Sequence, residues 1–113
     1  MSTKVRLILA NEPRSYRDIM ARALRDLRPH IEVFVLDPES LDDLAGSLSP
    51  DLVIGSKLTA SIQDGVRCWV DLYPDGERVV MINIGGQRRT LMDIRLSELL
   101  RIVDTVGDPD QRA

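Results

Sequence analysis

Hydrophobic and polar positions alternate in blocks along the chain, and each block has its own period. Val5-Arg6-Leu7-Ile8-Leu9-Ala10 is a nearly continuous apolar run ahead of Pro13. A short run of this kind predicts a strand buried on both faces, as parallel sheets require. Tyr16, Ile19, Met20, Ala23, Leu24 and Leu27 then recur at steps of three and four, which predicts a helix with its start marked by Ser15 and Asp18 as a capping box. Arg25 and Arg28 occupy its last turn and Pro29 stops it.

The pattern repeats. Ile31 to Leu36 reads as a second strand closed by Asp37-Pro38, and Leu41, Leu44, Ala45 and Leu48 mark a short helix opened by Ser40 and Asp43. Asp51 to Gly55 reads as a third strand. Ile62, Val66, Trp69, Val70 and Tyr73 keep helical spacing behind a Thr59 cap, although Gly65 interrupts them at a cost of about 1 kcal/mol relative to Ala. Pro74-Asp75-Gly76 signals a turn. Val79 to Ile84 predicts the fourth strand and Thr90 to Ile94 a short fifth. The segment between them is too short for a crossover helix, so Gly85-Gly86 is read as the turn of an antiparallel hairpin. The last helix runs from Ser97 through Val106, ended by Gly107 and Pro109, and residues 108–113 read as a disordered tail.

These elements specify an α/β fold: one three-layer domain over residues 1–107, flavodoxin-like, with an open, mostly parallel sheet and an antiparallel edge hairpin. Ligands of such sheets sit at the carboxyl ends of the strands. The positions to inspect are therefore Asn11, Glu12 and Arg14 after the first strand, Asp37 after the second, Ser56 and Lys57 after the third, and Asn83 to Gly86 after the fourth.

Composition narrows the chemistry. The chain has 113 residues, 43% of them apolar and only 4% aromatic, so one aliphatic core accounts for it. A single cysteine, Cys68, and a single histidine, His30, provide neither an internal disulfide nor a Cys/His metal site. The net charge of -3 provides no general attraction to nucleic acid or to anionic membrane surfaces, and neither is expected as a partner. Val5 to Ala10 is too short for an export signal or a membrane span, which leads to the expectation of a cytoplasmic protein. No Ser/His/Asp, Cys/His or paired-carboxylate constellation can be assembled from spacing, so no catalytic residue, metal or cofactor is expected.

Arg14, Arg17, Arg25 and Arg28 share one side of the first helix, apart from its apolar stripe. They form either a grip for an acidic partner or phosphate, or a solvated face laced with Asp18 and Asp26. Asn11-Glu12-Pro13-Arg14 is either an anion or small-ligand site at a helix start or a turn whose Asn and Pro set backbone angles. Trp69 is read as core or interface, and His30 as a loop residue.

The order of elements and the strand Pro50-Asp51-Leu52-Val53-Ile54-Gly55-Ser56 resemble a response-regulator receiver domain. In that family the matching strand ends in the aspartate that accepts a phosphoryl group, and here the position holds Ser56. The acidic pair that holds magnesium falls on Asn11 and Glu12, and the family's hydroxyl residue falls near Asn83. The lysine after the fifth strand has no clear counterpart. The resemblance thus implies a pseudo-receiver, a signal-transduction fold whose phosphoacceptor site is degenerate. With Glu12 as the one remaining carboxylate, weak magnesium binding is expected, and Ser56 has no base beside it in sequence.

Two functions follow as expectations. The first is a non-catalytic, receiver-like regulatory or protein-interaction module with a protein partner. The second is a small-ligand or anion-binding domain. Its candidate residues are Asn11, Glu12, Arg14, Arg17, Ser56, Lys57 and Asn83. A homodimer is also expected, because the missing helix before the fifth strand leaves a sheet face less covered.

Overall fold

The computed structural model describes residues 5–73 and 78–107, so the Pro74-Asp75-Gly76 turn and the 108–113 tail lie outside the described residues. The strands are β1 (Arg6–Ala10), β2 (Glu32–Val35), β3 (Leu52–Gly55), β4 (Cys68–Leu72), β5 (Val79–Ile84) and β6 (Gln87–Met92). The helices are α1 (Arg14–Leu27), α2 (Leu41–Leu48), α3 (Ala60–Gly65) and α4 (Leu96–Val106), with a 3₁₀ turn at Pro38–Ser40 ahead of α2. The six strands form one sheet in the order β2-β1-β3-β4-β5-β6. Three pairings are parallel, β1 with β2 and β3, and β3 with β4; β4–β5 and β5–β6 are antiparallel. The sheet is therefore mixed, only partly parallel.

Register divides the inward side chains between two layers. Leu7 and Leu9 of β1 align with Leu52 and Ile54 of β3, and this face continues through Val70 and Leu72 to Val80 and Ile82. It packs under α1 (Met20, Ala21, Leu24) and α4 (Leu99, Ile102, Val103, Val106). The opposite face, with Ile8, Val53 and Trp69, packs under α2 and α3 through Leu41, Ala45 and Ile62. Helices thus lie on both faces.

The third helix is corrected. Gly65 ends it, Val66 is already extended (φ -112, ψ 130), and Cys68 to Leu72 is a wholly buried strand. Trp69 is fully buried, in the core as expected, but it gets there from a strand, and its indole N–H donates to the Gln63 carbonyl at 3.2 Å. The extra strand explains why the expected five strands become six. The expected fifth strand also shifts: β6 starts at Gln87, directly after the turn.

Gly85 (φ +58) and Gly86 (φ +95) form that two-residue turn, with Ile84 opposite Gln87. Positive φ at both central positions is the signature of a type I′ hairpin, available to glycine without a Cβ penalty. Thr59 caps α3, accepting from the Ile62 amide at 3.3 Å. Ser15 and Asp18 form no capping box: extended Pro13 starts α1 at Arg14, and Asp18 instead pairs with Arg14. No helix among the described residues is long and apolar enough to cross a membrane.

Candidate functional site

The carboxyl ends of the four parallel strands open into a cavity of about 910 Å³. Its wall takes Glu12 and Pro13 from the loop after β1, Pro38 and Glu39 from the turn after β2, Ser56 and Lys57 after β3, and Leu72 and Tyr73 at the end of β4. The antiparallel return adds Arg78, just before β5, and Asp93, just after β6. The size falls in the range of small-molecule sites.

Each loop is held by a specific bond. The Ser56 hydroxyl accepts from the Glu12 amide at 3.1 Å, joining the loops after β1 and β3. Buried Asp71, in β4, accepts from the backbone amides of Lys57 at 2.7 Å and Leu58 at 3.2 Å. Its carboxylate thereby fixes the β3–α3 loop that carries Lys57. Arg78 donates two bonds to Asp93, one of them at 2.7 Å from Nε, closing the far wall. Hydrogen bonding from Arg78, its positive charge and a bond from Tyr73 hold the Asp93 carboxyl below its ordinary range. The same pair raises Arg78.

Backbone conformation marks the same place. Among the described residues four non-glycines have positive φ: Ser49, Lys57, Tyr73 and Asp93. Ser49 terminates α2, while the other three, at +57°, +50° and +71°, all line the cavity. Left-handed backbone in such residues costs about 1–3 kcal/mol each and concentrates at ligand sites.

Of the sequence candidates, Glu12, Ser56 and Lys57 come together in the wall. Asn11 is fully buried behind it, its amide donating to the Met20 sulfur at 3.4 Å, with Oδ1 unpartnered among the described residues. Arg17 is also buried, and its guanidinium bonds the Asn11 carbonyl at 3.4 Å and the Asp37 carboxylate at 3.1 Å, while its Nε is unpartnered among those residues. It ties the two loops that end in Pro13 and Pro38 rather than facing a partner. Arg14 points outward beside Asp18.

Asn83 is not part of the assembly. It lies opposite Trp69 and donates to the Arg67 carbonyl at 3.0 Å, near the amino end of β4. Because β5 runs antiparallel, its carboxyl end is at the wrong side of the sheet. The arginine stripe dissolves likewise: Arg25 donates to the Val33 carbonyl at 3.0 Å and Arg28 makes a two-pronged pair with Asp104 at 2.7 and 2.8 Å.

Tyr73, Arg78, Asp93 and Asp71 are the residues that sequence reasoning missed. Reading Gly65 as the end of α3 would have made Cys68 to Leu72 a strand and put Tyr73 at its carboxyl end. Among the described residues no group of three or more His, Cys, Asp or Glu side chains converges to hold a metal ion. No family model matches the chain, and no curated protein or solved structure matches it either.

Proposed function

We propose that this chain is a non-catalytic regulatory domain that binds a small polar ligand of mixed charge in the cavity at the carboxyl ends of β1 to β4. One observation carries the reading: Lys57, Tyr73 and Asp93, three strained non-glycine residues from separate loops, converge on one cavity. Arg78 and Asp93 neutralise each other, leaving Lys57 as a cation and Glu12 and Glu39 as anions in the wall. A ligand with both charge signs, such as an amino acid or a short peptide terminus, matches that set.

A flavodoxin-like layout is compatible with the order β2-β1-β3-β4 of the parallel strands. On the receiver resemblance, the phosphoacceptor position is Ser56, whose hydroxyl bridges to the Glu12 amide. The acidic pair reduces to Glu12, because the other position is the buried Asn11. The buried carboxylate nearby, Asp71, is engaged by two backbone amides. Incubation with magnesium and acetyl phosphate is expected to add no mass, and a phosphoryl adduct on Ser56, Asp71 or Glu12 would refute the non-catalytic assignment.

Thermal melting against a panel of amino acids, dicarboxylic acids and nucleotides tests the ligand directly. At least one is expected to raise the melting temperature of the wild type and to lose that effect in Lys57→Glu. A panel without effect, or one whose effect survives Lys57→Glu together with Glu12→Lys, contradicts the site.

A further inference from the structure

The two edges of the sheet differ in whether their outward backbone groups are engaged. On the β2 edge, the Glu32 amide donates to the Val5 carbonyl just ahead of β1 and the Leu36 amide to the Leu9 carbonyl within it, so the backbone groups of residues 32, 34 and 36 point toward β1 and those of Val33 and Val35 point out. The outward Val33 carbonyl accepts from the Arg25 guanidinium of α1, and Glu32 pairs with Arg6. That edge is short and partly capped.

The β6 edge is longer and open. A two-residue hairpin closes on a hydrogen-bonded pair, here Ile84 with Gln87, and such pairs alternate along an antiparallel ladder. The sequence of bonded pairs is then Ile84–Gln87, Ile82–Arg89 and Val80–Leu91, which the Asp93 amide continues by donating to the Arg78 carbonyl at 2.7 Å. The backbone groups of Arg88, Thr90 and Met92 therefore point away from the sheet. No proline lies in β6, no acidic side chain lies between Gly85 and Met92, and five of its six residues are exposed.

Charge selects the occupant. Arg88 and Arg89 point to opposite faces of the edge, and neither makes an ion pair with a described residue. Arg88 is held over the buried Trp69 ring at 5.5 Å, which fixes one guanidinium beside the strand. In a chain of net charge -3, this is a local basic edge on both faces of an open strand. We propose that β6 docks an extended acidic segment of a partner protein by strand addition, its backbone pairing with Arg88, Thr90 and Met92 and adjacent acidic side chains meeting Arg88 and Arg89.

The test is fluorescence anisotropy of a labelled Val-Glu-Glu-Val-Thr-Val peptide, with its Glu-to-Lys counterpart as control, combined with amide hydrogen exchange. Saturable binding of the acidic peptide alone is expected, weakened about tenfold or more by Arg88→Glu with Arg89→Glu. Exchange at Arg88, Thr90 and Met92 is expected to slow on binding, while Arg89 and Leu91, already bonded to β5, stay unchanged. Thr90→Pro, which removes an outward donor without breaking the β5 ladder, is expected to abolish binding. Absence of saturable binding, protection without the alternation, or peptide-free protection together with a dimer in sedimentation would each overturn the proposal. The last result would assign the edge to a second copy of the chain.

Discussion

The parallel and antiparallel halves of the sheet do different jobs. In β1, β3 and β4 nearly every residue is buried and helices cover both faces, whereas in β6 five of six residues are exposed and, among the described residues, no strand lies beside its outer edge. Stability therefore concentrates in the parallel half, and its loops can hold strained residues because a rigid core stands beneath them. The antiparallel half contributes the far wall of the cavity and leaves a strand available for contact.

Substitution at the centre of each half should break this contrast most visibly. Trp69→Ala, in β4, is expected to cost about 3–5 kcal/mol, while Thr90→Ala, in β6, is expected to stay within about 0.5 kcal/mol. Urea denaturation of the two variants checks both, and comparable losses would show that the core is shared evenly across the sheet. Asp71→Ala should follow, at about 1–3 kcal/mol, because it leaves the Lys57 and Leu58 amides without their acceptor. Beyond that loss, the Lys57 amide should exchange faster, a local effect that a uniformly destabilised protein would not show.

The next effect is smaller and confined to acid. The Arg28 hydrogen bonds and positive charge lower the Asp104 carboxyl, so its folded pKa lies below the ordinary 3.8. The stabilisation this gives is complete above about pH 4 and is lost as pH falls through the folded value. Arg28→Ala is thus expected to remove at neutral pH the small stabilisation an exposed pair gives and to leave strongly acid stability unchanged, so that the acid limb of a stability–pH profile flattens. Smallest is the alkaline counterpart. Burial, aided by the Tyr73 charge, raises the Tyr16 phenol above its ordinary 10.0. Its contribution is present below pH 10 and declines as pH rises through the folded value, so Tyr16→Phe should soften the alkaline loss, measured by phenolate absorbance and melting.

Much of the parallel half was legible because its periods are unambiguous. β1 and β3 are short buried runs, β2 is a half-buried one, and α1 and α4 keep three- and four-residue spacing over more than two turns. The hairpin was readable from Gly85-Gly86 and the shortness of the connection, although its second strand begins at Gln87 and not at Thr90. The misreading of residues 66–73 has a physical source: a five-residue buried strand after a one-and-a-half-turn helix leaves apolar positions that also satisfy helical spacing. Only Gly65 separates the two.

The site was legible in proportion to how locally it is built. Glu12, Ser56 and Lys57 follow their own strands, so the strand-end rule finds them. Arg78 and Asp93 reach the cavity only because β5 and β6 return antiparallel, a long-range consequence that no local pattern carries. The arginine stripe fails for a related reason. A helical wheel gives the side on which Arg17 and Arg28 project, but not that Asp37 and Asp104 stand there.

An amide NMR titration with the amino-acid and dicarboxylate probes shows directly whether the ligand site sits on the carboxyl ends of the parallel strands. Saturable shifts are expected at Glu12, Ser56, Lys57, Tyr73, Arg78 and Asp93, with Asn83 and Gly85 to Met92 unmoved. Shifts clustered at Asn83 and the hairpin, or none anywhere with any probe, would contradict it.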